Sequence, residues 1–392
     1  MLTALEPESF PWLDHRRYSF SLGVRRGPGI WLSGNTASAY DPATRSVGVR
    51  GDMAVQAGVA WDKVERLLAA AGVGPDAITR VVEYVTAAGL AAYDDAVEVR
   101  ASRLGGERPP VATVVVERLL RPDALLEVEV AASGEPDDEG LVYLGSLTAP
   151  EAGDDLSAQV HAVLTRAAEV LGAVGLDLGH VVKTVETTTP ATRAAYRATA
   201  AVRRELLGPD YPAATGVLAP ALERPGALVS VDVIASRHPK TVIDPHGSTQ
   251  RGVTFSPAVR AGDVVFCSGT TAIDPSTGEV AAAGDVVEQA EFVYRELDGL
   301  LREAGGNGLG DLVKTVEFVA PAGAGSYRGV AAVRERLFAR PFPASTGVVC
   351  AALLRPEWLI EVDATAVVPT HADQDTVGER PVGEDPVGED PA

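Results

Sequence analysis

The feature that most constrains this chain is an order of helix, strand, helix and paired strands that it writes three times. The plainest copies are PPVATVVV (109–116), YPAATGVL (211–218) and FPASTGVV (342–349). Each follows a helical pattern: VRASRL (99–104), VRRELL (202–207) or VRERLF (333–338). Each leads to an alternating run, RPDALLEVEVAA, RPGALVSVDVIA or RPEWLIEVDATA, of the kind that makes a strand with one buried face. Upstream stand three strand-like runs, RVVEYVT (80–86), KTVETTT (183–189) and KTVEFVA (314–320). Self-similarity of this kind decides the fold before any single motif does.

The first helix of each unit is visible as one apolar stripe. Met53, Ala57, Ala60, Val64, Leu67 and Ala71 are spaced by threes and fours. So are Leu156, Val160, Val163, Ala167, Val170 and Val174, and so are Val286, Ala290, Val293, Leu297, Leu300 and Ala304. Gly72, Gly175 and Gly305 follow the stripes, where a left-handed residue ends a helix. FSLGVRRGPGIWLSGNTA (20–37) and FSPAVRAGDVVFCSGTTA (255–272) open repeats 1 and 3 with a hairpin, whereas repeat 2 starts at GLVYLGSLTA (140–149) without the first strand. The expected class is α+β, with three β-β-α-β-α-β-β repeats at 1–133, 141–236 and 250–368, linkers near 134–140 and 237–250, and a disordered acidic tail at 369–392. Two helices cover one face of each sheet, so the other face must meet something. The matching faces of the other repeats are the cheapest partners, which predicts an intramolecular pseudo-trimer around a central β-barrel.

A net charge of −20 argues against nucleic acid and anionic membrane as partners, because phosphates would be repelled. No apolar run approaches a membrane span and no basic start precedes an apolar core, so a cytoplasmic chain is expected. Cys267 and Cys350 are the only cysteines and read as buried thiols. His238 and His246 flank Asp244 without implying a metal geometry, and no metal, flavin or nicotinamide dependence is expected.

The SG turn (Ser33–Gly34, Ser268–Gly269), the KTVEFV strand, FPA before the penultimate strand and the closing LIEVDATA together resemble the Rid (YjgF) family, over about residues 16 to 368. That resemblance implies chorismate-mutase-like subunits that assemble in threes, clefts between neighbours, and hydrolysis of reactive enamines or imines. It also implies an arginine directly after FPA to hold a substrate carboxylate, an early tyrosine, and a glutamate opening the last strand to position water. Here Ser345 stands in the arginine position, Ala112 and Ala214 in the other copies, and Phe20 and Phe255 replace the tyrosine. The glutamate survives as Glu127 and Glu361 but is Ser230 in repeat 2.

A strand-edge carboxylate becomes a general acid or base when desolvation raises its pKa, which makes Glu361 and Glu127 the catalytic candidates. Thr346 with the Gly347 N–H is the candidate oxygen-binding turn. Glu83 with Arg100, Glu186 with Arg203, and Glu317 with Arg334 recur as pairs, either structural or with one arginine replacing the lost clamp. Repeat 3 alone combines Phe255, Ser268, Gly269, Ser345, Thr346, Gly347 and Glu361, which predicts one principal site there, completed by a neighbouring repeat, with Glu317 and Arg334 added as further candidates for binding the substrate. Two functions follow. One is a deaminase-like hydrolase acting on a small enamine, imine or related unsaturated carbonyl metabolite in a specialised pathway, with a chorismate hydrolase as a variant. The other is a binding or scaffold protein with degenerate clefts. A small molecule between repeats is the expected partner, in a monomer or a dimer of pseudo-trimers.

Overall fold

The structure is a computed structural model and describes residues 1–135, 140–248, 250, 252–275 and 277–369. The expected tail lies outside these residues, apart from Pro369. Repeat 1 contributes strands β1 (Gly23–Arg26), β2 (Gly29–Leu32), β3 (Ile78–Thr86), β4 (Val111–Val116) and β5 (Leu126–Ser133), with helices α1 (Met53–Ala70) and α2 (Tyr93–Leu104). Repeat 2 supplies β6 (Leu141–Leu147), α3 (Leu156–Gly172), β7 (Val181–Thr188), α4 (Ala200–Leu206), β8 (Ala213–Leu218) and β9 (Val229–Ser236). A strand β10 (Lys240–Ile243) follows. Repeat 3 then gives β11 (Ala258–Ala261), β12 (Val264–Cys267), α5 (Val286–Glu303), β13 (Leu312–Val319), α6 (Val330–Leu337), β14 (Ala344–Val349) and β15 (Ile360–Val367).

The sheets run β1-β2-β5-β3-β4, β6-β9-β7-β8 and β10-β11-β12-β15-β13-β14, each with one parallel pair at its end. Repeat 2 lacks the opening strand, as its abrupt start implies. The segment 237–250 is more than a linker, because β10 pairs with β11 from Lys240↔Ala261 to Ile243↔Ala258 and extends that sheet.

The first helices start at Asp52, Asp155 and Asp285, whose carboxylates accept from backbone N–H groups of the first turn. They stop before Gly72, Gly175 and Gly305, at φ of 78°, 77° and 85°. Their apolar stripes pack on the sheets, except that Val170 and Val174 of the expected repeat 2 stripe are exposed and Leu164 and Leu171 are buried in that helix instead. One buried glutamine per helix does polar work. Gln289 donates to Ala282 O and Glu357 O and accepts from Leu359 N–H. Gln56 and Gln159 make the same three bonds with Gly51, Asp123 and Leu125, and with Gly153, Gly226 and Leu228. Each thereby ties its helix to the loop that enters the last strand.

The uncovered faces meet one another. Val82, Tyr84, Ala112 and Val114 of repeat 1, Val217 of repeat 2, and Val316, Phe318 and Val348 of repeat 3 belong to one buried cluster. Edge pairing adds to this: Arg118–Leu119 pairs with Val348–Val349 of β14, and Ala352–Leu353 pairs with Val217–Leu218 of β8. The described strands nevertheless remain three large sheets and one two-stranded ribbon, with no closed barrel among them. Each of these edge contacts joins only two residue pairs, too few to merge the sheets into one ladder.

Three ion pairs cross between repeats in a cycle. Arg80 on β3 binds Asp232 on β9. Lys183 on β7 binds Asp363 on β15 at 2.8 Å, and Lys314 on β13 binds Glu129 on β5 at 2.9 Å. In each pair the cation comes from the parallel strand and the acid from the last strand of another repeat. Lys314 also donates to Thr346 Oγ1 and Leu32 O, and Lys183 to Thr215 Oγ1 and Cys267 O. Repeat 1 keeps the ion pair but lacks the threonine contact, because of its register. Glu83 lies opposite Thr113, whereas Glu186 and Glu317 lie opposite Gly216 and Gly347. Ala112 therefore stands where Thr215 and Thr346 stand, and Arg80 Nε and Asp232 Oδ1 are buried without a partner beside a cavity of about 50 Å³.

Candidate active site in the seams between repeats

The SG turns build the seams. Ser33 Oγ donates to Ser21 O and accepts from the Ser345 N–H, at 2.6 and 2.8 Å. Ser268 Oγ repeats this with Ser256 O and the Ala214 N–H, again at 2.6 and 2.8 Å. The turn of repeat 1 thus docks on β14 of repeat 3, and the turn of repeat 3 docks on β8 of repeat 2. Ser146 of repeat 2 accepts from the Thr113 N–H at 3.0 Å and closes the third seam. These hydroxyls are consumed by backbone groups of both repeats, so Ser268 joins repeats instead of presenting a free group to a ligand.

The nine residues expected to form one site are consequently divided. Glu361, Ser268 and Gly269 lie in the seam with β8, beside Gly216. Ser345, Thr346, Gly347, Arg334 and Glu317 lie in the seam with repeat 1, beside Gly34 and Glu127. The turn and β14 of repeat 3 are kept apart, because each turn sits beside the last strand of its own repeat and projects onto the penultimate strand of a neighbour. Phe255 is exposed next to the Ser256 contact.

Thr346 does not form an oxygen-binding turn. Strand alternation points it inward, where its hydroxyl accepts from the Gly34 N–H and Lys314 and donates to Glu129. The paired arginines are likewise occupied. Arg334 binds both Glu317 oxygens at 2.6 Å and reaches Ser19 Oγ at 3.2 Å, while Tyr327 and Tyr294 also donate to Glu317. Arg203 grips Glu186 with two nitrogens and Arg100 binds Glu83, and Tyr196 and Tyr93 complete those clusters. Burial opposes ionisation of Glu186, but Arg203 more than offsets it and its pKa falls. At Glu83 burial outweighs Arg100 and the pKa rises. The three clusters share one plan, although Glu83 Oε1 is buried without a hydrogen-bond partner, and in each the arginine is held by its glutamate.

Glu127 and Glu361 stand apart from these paired acids. Glu361 is 3% exposed and Glu127 7%. Their carboxylates fill the spaces where Cβ atoms of Gly269 and Gly34 would lie, which explains why each turn carries glycine. Burial pushes Glu361 up to about 8, against a modest opposing effect of the Gly216 N–H, with Asp363 adding to the rise. Burial also carries Glu127 to about 8, with Lys314, Lys63 and Arg121 too weak to reverse it. Both carboxyls are therefore largely protonated at neutral pH. In the third seam Ser230 occupies the acid position, so that seam has no such group.

Three side chains around Glu127 were not singled out from the sequence. Lys63, buried and lowered to about 7 by desolvation, donates to Thr36 O and Ser38 O and holds the turn. Tyr327 stands over Gly347, where its hydroxyl would meet a Cβ at 2.6 Å. Arg121 reaches the Tyr18 hydroxyl at 3.4 Å, and no acid lies within ion-pair distance of it among the described residues. The RP pair at 121–122 recurs in every repeat, but only the fold brings its arginine beside the neighbouring glutamate. Among the described residues no group of three His, Cys, Asp or Glu is placed to hold a metal, and no helix is long and apolar enough to cross a membrane.

The Endoribonuclease L-PSP family matches residues 15–133 and 249–368, more than half of the chain; repeat 2 falls outside both segments. RutC family protein y4sK of Sinorhizobium fredii is 38% identical over 91 residues, 23% of this chain and 68% of that protein. RutC family protein slr0709 of Synechocystis is 31% identical over 116 residues, 30% of this chain and 87% of that protein. Among solved structures, a chorismatase is similar in fold, with a TM-score of 0.52 and 17% identity over 74% of this chain and 93% of the other. With its matched repeats and shared topology, the chain belongs to the Endoribonuclease L-PSP family, which includes the RutC and YjgF (Rid) proteins.

Proposed function

We propose that the chain is a hydrolase of small, electron-rich alkenes, in particular enamines and their imine tautomers, and that it works by proton donation from Glu361 and Glu127. The observation that carries this reading is the pair of buried carboxyls, each at an inter-repeat seam and each raised to about 8. A carboxylic acid that keeps its proton at neutral pH can donate it to the β-carbon of an enamine, giving an iminium ion. The carboxylate so formed then takes a proton from attacking water to give a carbinolamine, whose hydroxyl proton passes to nitrogen as the C–N bond breaks, leaving the ketone and ammonia. The cyclic contacts support an internal threefold arrangement in which the two acidic seams are sites and the Ser230 seam is not. This replaces the single site centred on repeat 3. Arg121 favours substrates with a carboxylate in the Glu127 seam, in place of the arginine absent at Ser345.

The test is ammonia release from the enamine made in situ by a serine dehydratase. Glu361→Gln and Glu127→Gln should each lower the rate, and the double variant should bring it to the uncatalysed level. A folded double variant with the wild-type rate would reject the reading. A chain that never accelerates release but is stabilised by keto acids would instead be a binding protein.

A second reading is supported by the length over which the chain follows the chorismatase fold. Protonation of an enol ether at carbon needs the same neutral acid, and water addition then releases pyruvate. Pyruvate release from chorismate, absent in Glu361→Gln, distinguishes this reading from enamine hydrolysis. The charge of −20 disfavours RNA as a substrate.

A further inference from the structure

A cavity of about 350 Å³ lies between the amino-terminal segment of repeat 1 and the connection that enters β14 of repeat 3. It is lined by neither Glu127 nor Glu361. Two backbone strands clamp its floor: the Ser21 hydroxyl donates to Phe342 O at 2.6 Å and the Ser21 N–H to Pro343 O at 3.1 Å. The space therefore exists only where the two repeats meet. It has room for roughly ten waters at ~30 Å³ each, too much for a packing fault.

The lining is divided by chemistry. Leu5, Leu22 and Phe342 are buried and, with Phe20 and Pro341, present hydrocarbon. Arg16, His15 and Arg340 stand against a single acid, Glu6. His15 takes the nearer contact with Glu6 at 3.2 Å, and Arg16 is 3.9 Å from it with both side chains exposed, a pairing worth little in water. Arg340 lies 4.6 Å over the Phe342 ring and has no acid within ion-pair distance among the described residues. In a chain of net charge −20, such a local excess of cations over an apolar floor is specific information.

We propose that this cavity binds a small amphiphilic monocarboxylate, with its apolar body on Leu5, Leu22 and Phe342 and its carboxylate between Arg340 and Arg16. Planar carboxylate oxygens match the guanidinium fork, and the arginine stacked on Phe342 keeps its edge nitrogens free for them. Glu6 offsets part of the positive charge, which suits one negative charge better than two. The cavity shares the repeat 1–repeat 3 seam with Glu127 but is lined by other residues, and its floor continues directly into Ala344–Ser345.

Calorimetric titration of the full chain with octanoate, and with octanol as the neutral control, tests the proposal. Octanoate should bind and octanol at least tenfold more weakly. Arg16→Gln with Arg340→Gln, two exposed positions whose replacement leaves the core intact, should weaken octanoate at least tenfold, and Glu127→Gln should leave it unchanged. No octanoate binding, equal binding of octanol, wild-type affinity in the arginine variant, or loss of binding in Glu127→Gln would each overturn it.

Discussion

At the residue scale, the two raised glutamates set the pH behaviour. Folded Glu127 and Glu361 keep a proton up to about pH 8, whereas the unfolded chain releases it near the ordinary value of 4.5. Their contribution to stability is therefore complete below about 4.5 and declines as the pH rises to about 8. Thermal melts across this window should show Glu361→Gln losing less stability with rising pH than the wild type; parallel curves would contradict the raised pKa. The turn glycines make a second prediction. Gly269→Ala places a methyl group where the Glu361 carboxylate lies, so either the turn or the carboxyl must move. It should cut activity from that seam at least tenfold while the fold survives, as measured by ammonia release beside a circular-dichroism melt. The existence of candidate acids was legible from the sequence, because Glu127 and Glu361 open matching strands. Their neighbours were not. Thr346 sits one residue from Ser345 but faces the opposite side of β14, and its network with Glu129 joins residues 217 positions apart.

At the element scale, the repeated helices and last strands were readable from their periods, and the stop glycines fell where the helices end. The sequence left the register of β4 open by one residue, because repeat 1 is a residue shorter there. Thr113–Val114 resembles Thr346–Gly347 in order, yet pairing puts Thr113 itself at the glycine position. Local sequence cannot reveal this, because Glu83, which defines the position, lies on another strand. The helix glutamines show how each element is fastened. Gln289→Leu should destabilise by about 1–3 kcal/mol, since it orphans buried groups at Leu359 and Glu357. Urea unfolding measures this, and a change below about 0.5 kcal/mol would show that water or a shifted loop replaces the bonds.

At the scale of the molecule, the three seams share a plan of contacts but differ in chemistry: two hold an acid, and the third has Ser230 and a shifted strand. The cyclic ion pairs explain how one chain keeps its repeats in order, since each cation meets the acid of a particular other repeat. Removing one member of a buried pair leaves an uncompensated charge, so Lys183→Met should cost about 3–5 kcal/mol, and Lys183→Met with Asp363→Leu should cost less. Denaturant titration of the three proteins checks this order. In the proposed mechanism, neutral carboxyls at two seams donate the catalytic proton. Its most direct test is the pH dependence of ammonia release from the serine-dehydratase enamine, with the rate followed from pH 6 to 10. A plateau that falls with an apparent pKa near 8 is expected, with no catalysis at any pH from a folded Glu127→Gln, Glu361→Gln double variant. A rate that rises through pH 8, or a double variant as fast as the wild type, would contradict it.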